Sequence, residues 1–234
     1  MELSKRLMFI VNHIDKCDSI IDVGTDHGYI PIYVVKKGLC ERAIASDINK
    51  EPVKKAKLNV TLENLEDKIE VRLGGGLETV KKGEVESVVV AGMGGNLIRD
   101  ILENDKEKVL CYKFLILQPA QNPEVLREYL YSNGYEVMQE DLCLDEGIYY
   151  ELFKVRKSNK IEKIELESIF YEISPILLRE KHELMNSYLE SKREKYERIS
   201  GFIKDDSESA NKRRNEIEEK LSYIKKFKLE VSKR

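Results

Sequence analysis

The sequence predicts an α/β fold with a mostly parallel sheet over residues 1–156 and a helical, coiled-coil-like extension over 157–234. Short apolar runs alternate with stretches of helical period, the pattern of a sheet built from crossover units. Three of the runs open into glycine-rich loops, at 24–28, 74–76 and 92–95. In an open parallel sheet such loops share the carboxyl edge, where ligands bind. From Lys157 onward the apolar residues keep a three-to-four spacing over long stretches.

Leu3, Leu7, Ile10 or Val11, and Ile14 recur at helical spacing, so residues 2–15 form an amphipathic helix with Lys5 and Arg6 facing outward. Residues 20–23 are the first strand, and a helix after the glycine loop ends near Gly38. Residues 43–48 form a buried strand carrying Asp47 at its end, and 49–62 the next helix. Residues 69–73 alternate as a third strand, whereas 87–91 are apolar throughout, as in a strand covered on both faces. A fifth strand at 113–117 runs into Gln118 and Pro119, and a helix from Pro123 is stopped by Gly134. Residues 135–143 and 149–155 alternate about Asp145-Glu146-Gly147, an antiparallel hairpin that closes the sheet. In the extension, Ile169, Ile173, Leu177, Leu184, Leu189, Tyr196, Ile199 and Ile203 mark one long helix, and Ile217, Leu221, Ile224 and Phe227 a second. Asp205-Asp206-Ser207 turns the chain between them and caps the second, giving an antiparallel pair.

Composition narrows the function. With 41% hydrophobic and 35% charged residues and a net charge of −3, the chain is an ordinary globular protein with no global basic excess for nucleic acid. The acidic excess lies in 1–156, and 157–234 is mildly basic. Four scattered cysteines form no C-x-x-C pair and no zinc pattern, so no metal is expected and the thiols are read as reduced packing residues of a cytoplasmic protein. No signal-peptide pattern opens the chain and no apolar run approaches the ~20 residues of a membrane helix, so no membrane partner is expected.

The chemistry is concentrated in Asp22-Val23-Gly24-Thr25-Asp26-His27-Gly28-Tyr29-Ile30-Pro31. Asp26 stands where a dinucleotide fingerprint needs its second glycine, and the Gly-Lys-Ser/Thr ending of a P-loop is absent. What remains, D-x-G-x-D-x-G, resembles the first motif of class I S-adenosylmethionine (SAM) methyltransferases, where an acid suits a cationic methyl donor better than a pyrophosphate. Asp26 equally suits capping the next helix. An acid at the end of the second strand, here Asp47, suits ribose hydroxyls.

Together with Ala-Gly-Met-Gly-Gly at 91–95 and Gln-Pro at 118–119, that motif resembles the bacterial tRNA (adenine-22-N1)-methyltransferase family of the TrmK type. The resemblance implies a class I SAM-dependent methyltransferase fold with a Rossmann-like, mostly parallel seven-stranded sheet. It implies SAM as cofactor, held by Asp22, Gly24, Thr25, Gly28, Asp47, Ile48, Gly74, Gly75, Gly76, Leu77, Ala91 and Gly92. Around the reacting atoms it implies Asp26, His27, Tyr29 and Met93, with Gln118 and Pro119 at the rim of the site. His13 and His182 are read as surface residues of helices. One departure stands out: the family's Gly-Asp-Gly after the third strand is Gly74-Gly75-Gly76 here, so the adenine contact must come from backbone or from another side chain.

The implied substrate is tRNA. Adenine N1 carries a free lone pair, so attack on the methyl needs orientation and a field suited to moving positive charge rather than a base, and His27 is read as positioning the adenine. Extruding the base costs a few kcal/mol, which contacts elsewhere must offset. Lys5, Arg6, Asn59, Gly94 and Gly95 near the site, and Lys192, Arg193, Lys212, Arg213 and Arg214 in the extension, are the candidates. A solvated coiled-coil face is the competing reading of the last five. The chain is expected to act as a monomer or weak dimer. Two other readings stay open: a class I methyltransferase of another RNA or of protein, and a non-catalytic RNA-binding protein on a degenerate SAM fold. The absence of an Asn/Asp-Pro-Pro-Tyr motif after the fourth strand argues against exocyclic amino methylation.

Overall fold

A computed structural model describes residues 2–232. The chain divides into two compact units, Met1–Leu166 and Glu167–Arg234. In the first, helix α1 (Lys5–Val11) begins where the Ser4 hydroxyl accepts the Leu7 N–H at 3.3 Å, an N-cap that sets its start. It is shorter than the 2–15 read from periodicity: Ile14 is buried beyond its end, and so is His13, whose ring meets the Asp141 carboxylate at 2.8 Å. His13 therefore sits in the packed interior rather than on a helix surface.

Five parallel strands follow with their helices: β1 (Cys17–Val23), α2 (Tyr29–Lys36), β2 (Cys40–Asp47), α3 (Lys50–Leu62), β3 (Ile69–Leu73), β4 (Ser87–Gly94), α4 (Gly95–Asn104), α5 (Lys106–Val109) and β5 (Phe114–Gln121). Helix α6 (Pro123–Ser132) leads into the antiparallel hairpin β6 (Tyr135–Asp145) and β7 (Ile148–Lys157). The sheet has seven strands in the order β3-β2-β1-β4-β5-β7-β6. The order reverses between β1 and β4, so their connections leave in opposite directions and open a crevice at the carboxyl ends. Both faces are covered, one packed around Ile21, Val88, Val90, Leu115 and Leu117 and the other around Ile20, Ala45, Val89 and Ile116, which explains the unbroken apolar runs. Residues past the hairpin return to the unit: the Ile164 N–H donates to the Tyr131 carbonyl at 3.0 Å.

The second unit holds α7 (Ser168–Glu172), α8 (Pro175–Arg179), α9 (Met185–Phe202) and α10 (Glu208–Ser232). The first apolar stripe is thus three helices, not one. Ser174 and Pro175 start a new helix, the serine hydroxyl capping the Leu177 N–H at 3.1 Å, and Lys181 at φ 51° ends it. His182 lies in the following turn, where its ring accepts the Leu184 N–H at 3.2 Å, again not on a helix. Helices α9 and α10 do pair antiparallel, with Glu190 bound to Lys228 and Tyr196 beneath Lys220. The Ser207 hydroxyl caps the start of α10 through the Ala210 N–H at 3.3 Å. Among the described residues, no helix is long and apolar enough to cross a membrane and no three metal-ligating side chains cluster.

Candidate active site

At the end of β1 the chain turns through 24–28 into α2. Gly24 and Gly28 both take φ above +70°, which a side chain would strain. A Cβ on Gly24 would also overlap the Met93 methyl, and one on Gly28 would press on Ala56 at 3.4 Å. The Ser46 carbonyl grips the turn, accepting the N–H groups of Gly24 at 2.8 Å and Thr25 at 2.9 Å. Those two donors are therefore committed to the fold, and the N–H groups at the start of α2 are the ones left for an anionic group.

Asp22, at 6% exposure, lies beneath this turn. Burial pushes its carboxyl up to about 6, the Thr25 hydroxyl pulls it down, and the charge of Asp47 adds a smaller rise. Asp47 accepts the Asn49 N–H at 2.7 Å on one carboxylate oxygen, and its carbonyl accepts the Gly74 N–H at 2.9 Å, which ties the second glycine loop to the end of β2. Ile48 is 71% exposed, and its Cδ1 is 3.4 Å from where a Cβ on Gly75 would stand. The Leu77 side chain is in the core and its carbonyl accepts the Lys108 ammonium at 2.7 Å, so any contact it makes with a ligand is through its backbone N–H. Gly76 packs against Ile101.

A cleft of about 430 Å³ runs beside the first loop, lined by Arg6, Asp22, Gly24, Thr25, Asp26, His27, Tyr29 and Ala91 among others. The His27 ring stacks on Tyr29 at 5.0 Å and 8°, and its Nε2 meets the exposed Asp26 carboxylate at 3.3 Å. Asn59 reaches back from α3 to donate to the His27 carbonyl at 2.9 Å, so it braces the loop instead of meeting a substrate. A wider groove of about 540 Å³ lies elsewhere, along β2 and β3 near Arg42 and Glu70, and holds none of these groups.

Arg6 does not face outward. Its guanidinium donates to Gln118 Oε1 at 3.0 Å and lies 5.6 Å from the centre of the Tyr150 ring, while its backbone N–H donates to Asp145 at 3.1 Å. Lys5 donates to the Leu144 carbonyl at 2.7 Å, so α1 is clipped to the hairpin turn. Gln118 and Pro119 are buried, not at a rim; Gln118 is 0% exposed and its amide donates to the Pro119 carbonyl at 2.8 Å. Gly92 lies under Arg6, and Gly94 precedes α4. Gly95 is buried where a Cβ would run into the Asn122 carbonyl, so its smallness serves packing rather than substrate entry.

In the extension, Arg193 pairs with Glu190 and Glu197, Arg213 with Glu216 at 3.2 Å, and Arg214 with Asp206 at 3.0 Å. Lys192 lies over Tyr188 at 5.1 Å, and Lys212 is exposed. No local pattern marks Arg6–Gln118–Tyr150 or Asn59–His27, because each joins positions far apart in the chain.

Two carboxylates beside a glycine turn at a topological switch point, with a third carboxylate on the neighbouring strand, fit a cationic nucleoside. The family described as tRNA (adenine(22)-N(1))-methyltransferase, TrmK, matches residues 20–226. The chain belongs to this family. The Bacillus subtilis tRNA (adenine(22)-N(1))-methyltransferase is 32% identical over 232 residues, covering 96% of each chain. Streptococcus pneumoniae Sp1610, solved in complex with S-adenosyl-L-methionine, superposes with a TM-score of 0.85 at 29% identity, over 97% of this chain and 100% of that one. Mycoplasma capricolum TrmK with S-adenosyl-homocysteine gives 0.82 at 30%, over 96% and 99%. Family membership makes this chain a SAM-dependent methyltransferase with the seven-stranded fold of that class.

Proposed function

We propose that the protein methylates N1 of adenine 22 in tRNA, with Asp22, Gly24, Thr25, Gly28 and Asp47 holding SAM. The observation that carries this is the buried Asp22 under a turn whose two glycines take positive φ, in a chain matched along nearly its whole length by the family. When bound, SAM supplies an electrophilic methyl on a sulfonium. Asp22 and Asp26 favour positive charge near the turn, and Asp47 offers its free carboxylate oxygen to ribose hydroxyls. Exposed Ile48 beside Gly75 gives an apolar plate on which the cofactor's purine stacks, a packing contact at the position where the family's acid is absent. Ala91 and Gly92 complete that edge.

The attacking adenine needs placement and no base. His27, held by Tyr29 on one side and Asn59 on its carbonyl, presents a fixed imidazole beside the cleft, and the roles of His27, Tyr29 and Met93 are to orient the incoming ring. Gln118 and Pro119 act from beneath by shaping the floor under Arg6. Lys192, Arg193, Lys212, Arg213 and Arg214 contact the tRNA backbone, the three arginines exchanging their acidic partners for phosphates. The protein works in the cytoplasm as a monomer or weak dimer, since α9 and α10 bury Tyr188, Tyr196, Ile217, Ile224 and Phe227 without a second copy.

The deciding assay supplies methyl-labelled SAM with tRNA transcripts bearing A or G at position 22. Label appearing as 1-methyladenosine only in the A22 transcript is expected. Label on ribosomal RNA or protein, and none on tRNA, would sink the assignment.

A further inference from the structure

Outside the site, one pair of nucleophiles has no part in the chemistry above. Cys17 opens β1 and Cys40 opens β2, and the two are direct register partners in parallel strands. Their sulfurs lie 3.2 Å apart, buried at 5% and 3% exposure. The backbones there are fixed by the ladder, with the Cys17 N–H donating to the Leu39 carbonyl at 3.0 Å. Neighbouring strands stand about 4.8 Å apart, inside the Cα separation that a disulfide spans. Closing the sulfurs to the roughly 2.05 Å of a disulfide takes about 1.2 Å. We propose that Cys17 and Cys40 are a peroxide-oxidised thiol pair that closes reversibly into a disulfide at the end of the sheet opposite the methyl-transfer site.

The roles within the pair are unequal. The S–H···S contact between them holds the Cys17 thiol below its ordinary range, against burial, and raises Cys40. Glu86 and Lys113 also act on Cys17, the glutamate opposing the thiolate and the lysine favouring it. Cys17, the less enclosed of the two sulfurs, meets hydrogen peroxide: its thiolate displaces hydroxide from the O–O bond and becomes a sulfenic acid. The Cys40 sulfur then attacks Cys17, forming the S–S bond and releasing water that carries its proton. Two thiols and one peroxide become one disulfide and two waters. With Cys40 adjacent, the sulfenic acid is captured before a second peroxide can carry it to the irreversible sulfinic acid.

Cys111 is exposed, so the full-length protein carrying Cys111→Ser isolates the buried thiols and leaves the core unchanged. It is treated with hydrogen peroxide, alkylated after unfolding, and digested without reductant. The expected result is a peptide joining Cys17 to Cys40, split by dithiothreitol, together with the loss of two hydrogens from the intact mass. In Cys40→Ser the expected product is a dimedone-trapped sulfenic acid on Cys17, and no link. Should both thiols remain fully alkylated at a peroxide dose that oxidises Cys111 in the parent, or should Cys17 reach the sulfinic acid with Cys40 free, the proposal fails. Neither reading depends on methyl transfer, so its failure leaves the assignment of function untouched.

Discussion

Asp22 ties stability and ligand binding to one proton. Its carboxyl is raised to about 6 first by burial, so the folded chain holds a proton that the unfolded chain has lost by that pH. The associated stability is fully present below the ordinary carboxylate pKa and is lost as pH rises through about 6. A shift of this size corresponds to on the order of 3 kcal/mol. Asp22→Asn should therefore raise the melting temperature at pH 8 and change it little at pH 4, as scanning calorimetry would read. Binding runs the other way, because a cationic ligand prefers the ionised carboxylate. SAM affinity of the parent should strengthen about tenfold between pH 5 and pH 7.5, with proton release detectable by titration calorimetry in two buffers, and Asp22→Asn should lose that dependence. Gly24→Ala tests the turn itself: at φ +78° a Cβ strains the backbone, and the Met93 methyl has to swing aside to admit it. A loss of at least tenfold in SAM affinity is expected in the same assay, and wild-type affinity would show that the turn does not carry the ligand.

Among the elements, the α6–hairpin contact is held by charge where apolar packing would be expected. Arg127 is fully buried and binds Glu140 at 2.6 Å and Glu151 at 2.5 Å, with Phe153 under its guanidinium. Arg127→Met leaves two buried carboxylates without their cation and should cost about 3–5 kcal/mol in urea unfolding, while neutral replacement of all three residues should recover most of it. At α1 the expected loss is kinetic. Arg6→Ala strips a buried Gln118 oxygen of its donor, so kcat should fall about tenfold, with SAM affinity within twofold of the parent. The same contrast explains what could be read from the chain. Strands β1 to β5 and the hairpin announce themselves through local periodicity and glycines, and the motif at 22–31 names its chemistry without any fold. The split of the first tail stripe at Ser174-Pro175 was also written locally, but the apolar spacing continues across the break and masks it. Arg6, Asn59 and Arg127 could not be read, since their partners are chosen by tertiary packing and a charged or amide side chain in a helix carries no mark of which way it turns.

At the scale of the molecule, the chain divides after Leu166, and the proposed cofactor contacts and the proposed tRNA-backbone contacts of the helical tail fall on opposite sides of that division. Every residue proposed around SAM lies before Leu166, and residues 158–166 belong with the sheet through the Ile164–Tyr131 bond and the close approach of Ile161 to Gly134. A truncation at 156 would remove that return and expose the α6 end; a stop after Leu166 does not. The chain ending at Leu166 should keep SAM affinity within twofold and lose at least tenfold in tRNA affinity by filter binding. Removing only the charges gives a finer reading. Each phosphate contact contributes close to one unit to the slope of log affinity against log salt, so replacing Lys212, Arg213 and Arg214 by alanine should flatten that slope by about 2–3 and weaken binding across tRNA sequences alike. Arg214 also closes the α9–α10 turn through Asp205 and Asp206, so Lys212 and Arg213 alone form the control that leaves the turn intact. An unchanged slope in that pair would assign these cations to the solvated face of the helix pair and move the search for tRNA contacts to the sheet unit, where Lys5 stands exposed.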